Sequence, residues 1–238
     1  MTRAKRARRG TATVSMGAAA PVLALALAVV LLVACMPPPQ RMCTAATDCG
    51  AGTSSCVAGR CIATGAVPAI STARRVVYEP VDVGYVRHGA PEASGAAAFA
   101  ALGLAGDPRV FLRFDVSLRA DDDLVEAFLA IERAPGVAAD PMTIVLHAAP
   151  VLDRWESGRL SWGRQPRVEE LGLPRTPVPP AAGARVRLDI RALLQRWRHG
   201  HSRELSLAVL SDGESTTGVT FALTPGPVRG PELELYIR

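Results

Sequence analysis

The chain has 238 residues and a formal net charge of +5, and that charge sits at one end. Five basic residues, Arg3, Lys5, Arg6, Arg8 and Arg9, precede Cys35 with no acid among them, and from Cys35 onward 22 basic residues balance 22 acidic ones. A body without net charge has no field for gripping phosphate, so nucleic acid is not an expected partner, and 49% apolar against 21% charged content excludes general disorder.

Residues 18–34 are uninterruptedly apolar behind the basic stretch, the order of a secretory leader. The segment closes on Leu32-Val33-Ala34-Cys35, which resembles the lipobox of bacterial lipoproteins at all four positions. The resemblance implies cleavage before Cys35, a diacylglyceryl group on its sulfur and an acyl chain such as palmitate on its amine. A transmembrane anchor is the competing reading. Its 17 apolar residues fall short of the roughly 20 that span a bilayer, and Pro21 interrupts the first turn. Several acyl chains, at about 0.8 kcal/mol per buried CH₂, make the membrane attachment effectively permanent. Arg8-Arg9 is followed by Gly10-Thr11-Ala12 rather than apolar residues, which favours the general export route over the twin-arginine one. Met36 rather than Asp after the cysteine implies, for a Gram-negative lipoprotein, passage to the outer membrane. The expected location is therefore the cell envelope, lipid-anchored in the outer membrane.

Residues 35–42 comprise the lipidated cysteine and a Pro-rich, stiff spacer. The remaining cysteines, Cys43, Cys49, Cys56 and Cys61, fall within the 19 residues of 43–61, a stretch too short and polar for a core. Disulfides are the usual substitute in an oxidising compartment. Zinc is the competing reading, but no Cys-x-x-Cys knuckle occurs and no metal is expected. Four cysteines allow three pairings. The cadence looks like the small Cys-rich modules that follow the anchor in many surface lipoproteins. That resemblance favours first-to-third and second-to-fourth bonds: Cys43 with Cys56, Cys49 with Cys61. Residues 62–71 read as a linker.

From residue 72 to 238 the pattern becomes short alternating runs broken by Gly, Pro and Asp. Val110, Leu112, Phe114 and Val116 alternate with Phe111, Arg113 and Asp115. Val125, Ala127, Leu129 and Ile131 alternate with Glu126, Phe128 and Glu132. The same period recurs through Leu205, Leu207 and Val209, through Val219, Phe221 and Leu223, and through Leu233, Leu235 and Ile237. Further strands are expected at 75–79, 81–87, 142–148 and 185–188. This predicts eight or nine half-buried strands in an all-β jelly-roll sandwich. One short helix interrupts it, because Ile190, Leu193, Leu194 and Trp197 are spaced for one helical face, with Asp189 at the N-cap place and Gly200 past the end. A Pro/Gly-rich loop at 149–183 is too long to be idle and is expected to pack across one face.

Four segments carry a resemblance to the DNRLRE domain family. They are the strand Phe111-Leu112-Arg113-Phe114-Asp115-Val116-Ser117, the loop Trp155-Glu156-Ser157-Gly158-Arg159-Leu160-Ser161-Trp162-Gly163-Arg164-Gln165-Pro166, the helix Leu188-Asp189-Ile190-Arg191-Ala192-Leu193-Leu194-Gln195-Arg196-Trp197 and the closing strand Pro231-Glu232-Leu233-Glu234-Leu235-Tyr236. They occur in the family's order over about 130 residues. The naming hexapeptide is absent, Arg74-Arg75-Val76-Val77-Tyr78-Glu79 standing in its place, and Arg191 replaces the family's helix-start Thr. The resemblance implies a jelly roll of exported, cell-surface and polysaccharide-associated proteins, some of them carbohydrate-binding modules.

No Gly-x-Ser-x-Gly elbow occurs. His199-Gly200-His201 reads as a turn after the helix, and Asp121-Asp122-Asp123 as a solvated hairpin turn rather than a calcium site. Asp153 and Glu156 flank Trp155 as a glycosidase pair would, but the resemblance makes that loop structural. No enzyme and no cofactor are expected. A glycan would need flat aromatic faces with fork donors beside them, and the candidates are Trp155, Trp162, Arg159, Arg164 and Tyr85. The expected function is a lipid-anchored envelope surface protein with a non-catalytic sandwich module, its candidate partners the membrane and an extracellular or envelope polysaccharide. The alternative is a protein-interaction or structural envelope lipoprotein without a glycan ligand.

Overall fold

The structure is a computed structural model that describes residues 43, 49, 54–57, 60–63, 73–89, 97–105, 107–119, 121–134, 144–170, 174–200, 202–212, 218–224 and 229–238. The expected leader, Cys35, the spacer and the side chain of Cys56 lie outside the described residues, as does most of the linker. The chain divides into two units, Met1–Arg41 and Met42–Arg238, and everything described belongs to the second.

The Cys-rich module contains a small antiparallel hairpin, β1 (Ser54–Val57) against β2 (Arg60–Ala63), with Cys56 opposite Cys61. Cys49 and Cys61 form a disulfide across 5.3 Å between their Cα atoms, the expected second-to-fourth bond. Cys43 is also disulfide-bonded and is 3% exposed. Its expected partner, Cys56, has its side chain outside the described set.

The body is a sandwich of antiparallel sheets. One sheet orders β10 (Arg185–Asp189), β7 (Leu124–Glu132), β13 (Glu232–Ile237) and β3 (Arg74–Tyr78). The facing sheet orders β4 (Asp82–Val86), β6 (Arg109–Asp115), β11 (Glu204–Asp212), β8 (Val145–Pro150) and the two-residue β9 (Thr176–Pro177). A further pair, β5 (Phe99–Leu102) with β12 (Val219–Ala222), meets the end of β7 through the Arg133–Phe221 bridge. Consecutive strands mostly change sheets, as a jelly roll requires. The expected alternation builds the core: Leu112, Phe114, Leu207 and Leu146 from one sheet face Ala127, Leu129, Leu188, Leu233 and Leu235 from the other, all fully buried or nearly so. Each leucine or phenylalanine among them contributes about 1.5–3 kcal/mol over leaving it in water.

Three features depart from the expected pattern. Leu124, not Val125, takes the core position, because a bulge between Tyr236 and Ile237 shifts the register and re-aims the start of β7. Strand β5 lies in an Ala/Gly-rich stretch with no alternation to mark it. The interior strands are also not half-buried: Phe111 and Phe128, on the outward side of β6 and β7, are 0% exposed, while β3 and β10 keep the alternating pattern.

Helix α1 (Arg191–Arg198) follows its predicted face, burying Ile190, Leu193 and Leu194 against the core. The N-cap position is Ile190 rather than the expected Asp189, whose Oδ1 accepts the Arg191 N–H at 3.0 Å from one residue earlier, a local side-chain-to-backbone bond. At the far end the His199 and Gly200 N–H groups donate to the Arg196 and Trp197 carbonyls, closing the helix.

The outer face of the four-stranded sheet carries charge under cover. Glu234 on β13 is 0% exposed and meets the guanidiniums of Arg75 at 2.9 Å, Arg185 at 3.0 Å and Arg187 at 2.9 Å. Arg187 also donates to the carbonyl of Cys43 at 2.5 Å, which holds the start of the Cys-rich module on this face. Burial would raise the Glu234 carboxyl, but the charge and hydrogen bonds of Arg187 and Arg75 outweigh it and the net shift is downward. A carboxyl with a depressed folded pKa stabilises the fold above its unfolded value, about 4.3, and loses that contribution as pH falls through the folded value. Glu234→Gln leaves the guanidiniums without their buried counter-charge, so urea melts at pH 7 should show a loss of about 3 kcal/mol. The acid limb of stability against pH should also be flatter than in the unsubstituted chain; two parallel limbs would contradict this account.

Candidate functional site

The outer face of the five-stranded sheet offers a row of mostly small residues. Gly84 on β4 lies opposite Phe111 on β6, Phe111 opposite Ala208 on β11, and Ala208 opposite Ala149 on β8. Over this row lies the 151–170 segment, so the long loop does pack across one face. Trp155 and Leu160 are its buried anchors and form a second apolar cluster with Phe111, Ala149, Ala208 and Leu210. The Trp155 ring lies 5.8 Å from that of Phe111, and the Arg113 guanidinium sits 5.9 Å from its centre. Gly84 makes room: a Cβ there would stand 2.2 Å from Leu160 Cδ1 and 3.3 Å from Trp155 Cζ3.

Polar contacts tie the loop at both ends. The Leu152 N–H donates to the Arg167 carbonyl, and the Asp153 carboxylate accepts the Arg167 backbone N–H at 2.9 Å and its guanidinium at 2.8 Å. Those hydrogen bonds hold Asp153 at about 2, so it is ionised at neutral pH and unsuited to donating a proton. Asp82 accepts both Arg113 at 3.1 Å and the Ser157 N–H at 3.2 Å, joining strand to loop. At the loop's other end Arg133, 2% exposed, donates to the carbonyls of Pro179 and Pro180.

Beside Trp155 opens a cleft of about 1550 Å³, lined among others by Arg113, Arg154, Trp155, Arg164, Gln165 and Glu204. Three of its lining residues each carry a buried side-chain atom without a hydrogen-bond partner: Trp155 Nε1, Arg113 Nε and Gln165 Oε1. An unsatisfied buried polar atom costs about 1–3 kcal/mol, so three at one place are unusual.

The five candidates from the sequence are only partly brought together. Trp155 is 7% exposed and lines the cleft. Arg159 and Arg164 are exposed on the same rim, Arg159 pairing with Glu156 at 3.3 Å. Trp162 is half-buried beside the cleft, with Arg109 5.7 Å over its ring and His88 edge-on at 5.5 Å. Tyr85 is elsewhere: it packs on the main core, and its hydroxyl donates to the Ala101 carbonyl at 3.2 Å. Arg113, Arg154, Gln165 and Glu204 belong to the cleft without having been singled out. Gly84, a glycine inside a strand, was a legible sign of close approach.

The other candidate clusters have structural explanations. Asp122 accepts the Arg119 N–H at 2.8 Å and Asp123 pairs with Arg238 at 2.5 Å, as a turn requires. His199 lies in the turn after α1, and His201 lies outside the described residues. The metal-ligand grouping of Cys43, Cys49 and Cys61 consists of disulfide-bonded sulfurs. Such sulfurs are not thiolates and do not serve as zinc ligands.

Two substitutions test the packing of the loop. Gly84→Ala should destabilise the chain by about 1–3 kcal/mol through overpacking against Leu160. Trp155→Ala should cost about 3–5 kcal/mol by emptying the seat, and Trp162→Ala less, because its side chain is only partly buried. Thermal melts of the three variants rank them directly.

Among known proteins, no family model and no curated sequence matches this chain.

Proposed function

We propose that the chain is a lipid-anchored cell-envelope protein whose sandwich is a non-catalytic, DNRLRE-like module that receives polysaccharide in the cleft beside Trp155. The observation that carries the reading is the composition of that cleft. Its lining residues carry the partnerless Trp155 Nε1, Arg113 Nε and Gln165 Oε1, while Arg154 and Arg164 on its rim have no carboxylate partner among the described residues. Sugar hydroxyls offer donor and acceptor oxygens in pairs, and a polar cleft with directed groups suits them better than an apolar ligand. The anchor rests on the Leu32-Val33-Ala34-Cys35 box behind its basic leader.

A glycan array probed with the full chain tests the binding. Retention of at least one polysaccharide is expected. The exposed pair Arg154→Ala with Arg164→Ala should weaken it without moving the melting temperature, and Trp155→Phe should weaken it while keeping most of the ring packing. A blank array would favour a structural or protein-interaction lipoprotein, and hydrolysis of any glycan would make the module an enzyme. For the anchor, mass spectrometry of the membrane fraction should find a chain beginning at acylated Cys35; an intact Met1 would refute it.

A further inference from the structure

A second cleft, of about 820 Å³, opens at the C-terminal end of α1 and shares no lining residue with the cleft beside Trp155. One wall is the connection from β6 to β7, with Arg119, Asp122 and Asp123. The other is the end of the helix and the turn after it, with Trp197, Arg198 and Arg203. We propose that this cleft binds a phosphate-type dianion, as free phosphate or as a phosphomonoester headgroup.

The charges motivate this. Elsewhere on the sandwich Arg75, Arg109, Arg113, Arg167, Arg175, Arg185, Arg187 and Arg196 each have a carboxylate within ion-pair distance, whereas Arg154 and Arg164 at the cleft beside Trp155 do not, among the described residues. Arg119, Arg198 and Arg203 have none among the described residues. Of the two aspartates in the cleft, Asp123 is taken by Arg238 at 2.5 Å and Asp122 accepts the backbone N–H of Arg119. Four arginines therefore stand against two aspartates, and two positive charges lack a counter-charge at one place. The helix end offsets this little, since the Arg196 and Trp197 carbonyls already accept from His199 and Gly200.

The donors are also oriented. Arg198 Nη2 donates to the Arg119 carbonyl at 3.3 Å and Arg203 Nη2 to Ser117 Oγ at 3.2 Å. A guanidinium carries five N–H donors, so each is positioned by one bond and keeps the rest for a ligand. The Trp197 ring forms a fixed wall, its Nε1 donating to the Glu204 carbonyl at 2.9 Å. A dianion with three terminal oxygens matches two uncompensated charges and several forked donors, whereas a single carboxylate would neutralise only one.

Calorimetric titration of the full chain with inorganic phosphate, with acetate at equal ionic strength as control, tests the proposal. Saturable one-site binding of phosphate and none of acetate is expected. Arg198→Gln and Arg203→Gln should each weaken it at least about tenfold, with melting temperatures little changed, because Arg203 is exposed, Arg198 is half-buried and each gives up a single side-chain hydrogen bond. Arg229→Gln, exposed and outside the cleft, should bind as the unsubstituted chain does. Flotation with phosphatidic acid vesicles against phosphatidylcholine vesicles separates the sources. Extra capture by phosphatidic acid that both substitutions abolish identifies a lipid headgroup, and phosphate binding without it identifies a soluble ligand. Absence of both, or phosphate affinity that the two substitutions leave within about twofold, overturns the proposal.

Discussion

Phe111 projects from the outward side of β6, an interior strand of the five-stranded sheet, with Val86 and Leu210 on the same face. A sheet with apolar side chains on both faces is unstable in water until both are covered. The facing sheet covers one side, and the 151–170 segment covers the other by laying Trp155 and Leu160 over Gly84, Ala149 and Ala208. That need explains the length of the loop, the glycine at position 84 and the tying of Asp153 to Arg167. It also makes the loop a rigid support rather than a free arm, so the cleft beside Trp155 has fixed walls.

The electrostatics follow from a near absence of lysine. Lys5 is the chain's single lysine, so every cation of the sandwich is a planar fork with several donors. Glu234 can therefore satisfy its oxygens with three side chains while Arg187 still reaches the Cys43 carbonyl. A charge network of that kind tolerates burial because its members complete one another, and it punishes removal of any one. The start of the Cys-rich module is thereby seated on a chosen face of a chosen sheet.

The two clefts lie at loops and element ends held by a packed scaffold, the arrangement in which binding surfaces usually arise. They differ in chemistry: one sets orphaned polar atoms beside an indole, the other gathers forked cations against a second indole.

Local pattern was enough for much of the fold. Period-2 alternation at Val110, Leu112 and Phe114 or at Leu233, Leu235 and Ile237 identifies strands because one face of each must enter the core, and the spacing of Ile190, Leu193, Leu194 and Trp197 identifies the helix for the same reason. Whatever depends on what lies across from a residue was not legible. No pattern in β7 announces that Phe128 and Glu126 are covered on their outward side, or that a bulge at Val125 puts Leu124 in the core in its place. Nothing near Tyr85 says that its hydroxyl is spent on Ala101, and nothing near Arg113 or Gln165 places them beside Trp155. Periodicity reports which side of an element is apolar, a property of neighbours along the chain. Which groups share a cleft, and which carboxylate loses its water to three guanidiniums, is decided by contacts between residues far apart in sequence, and only the packed sheets supply those.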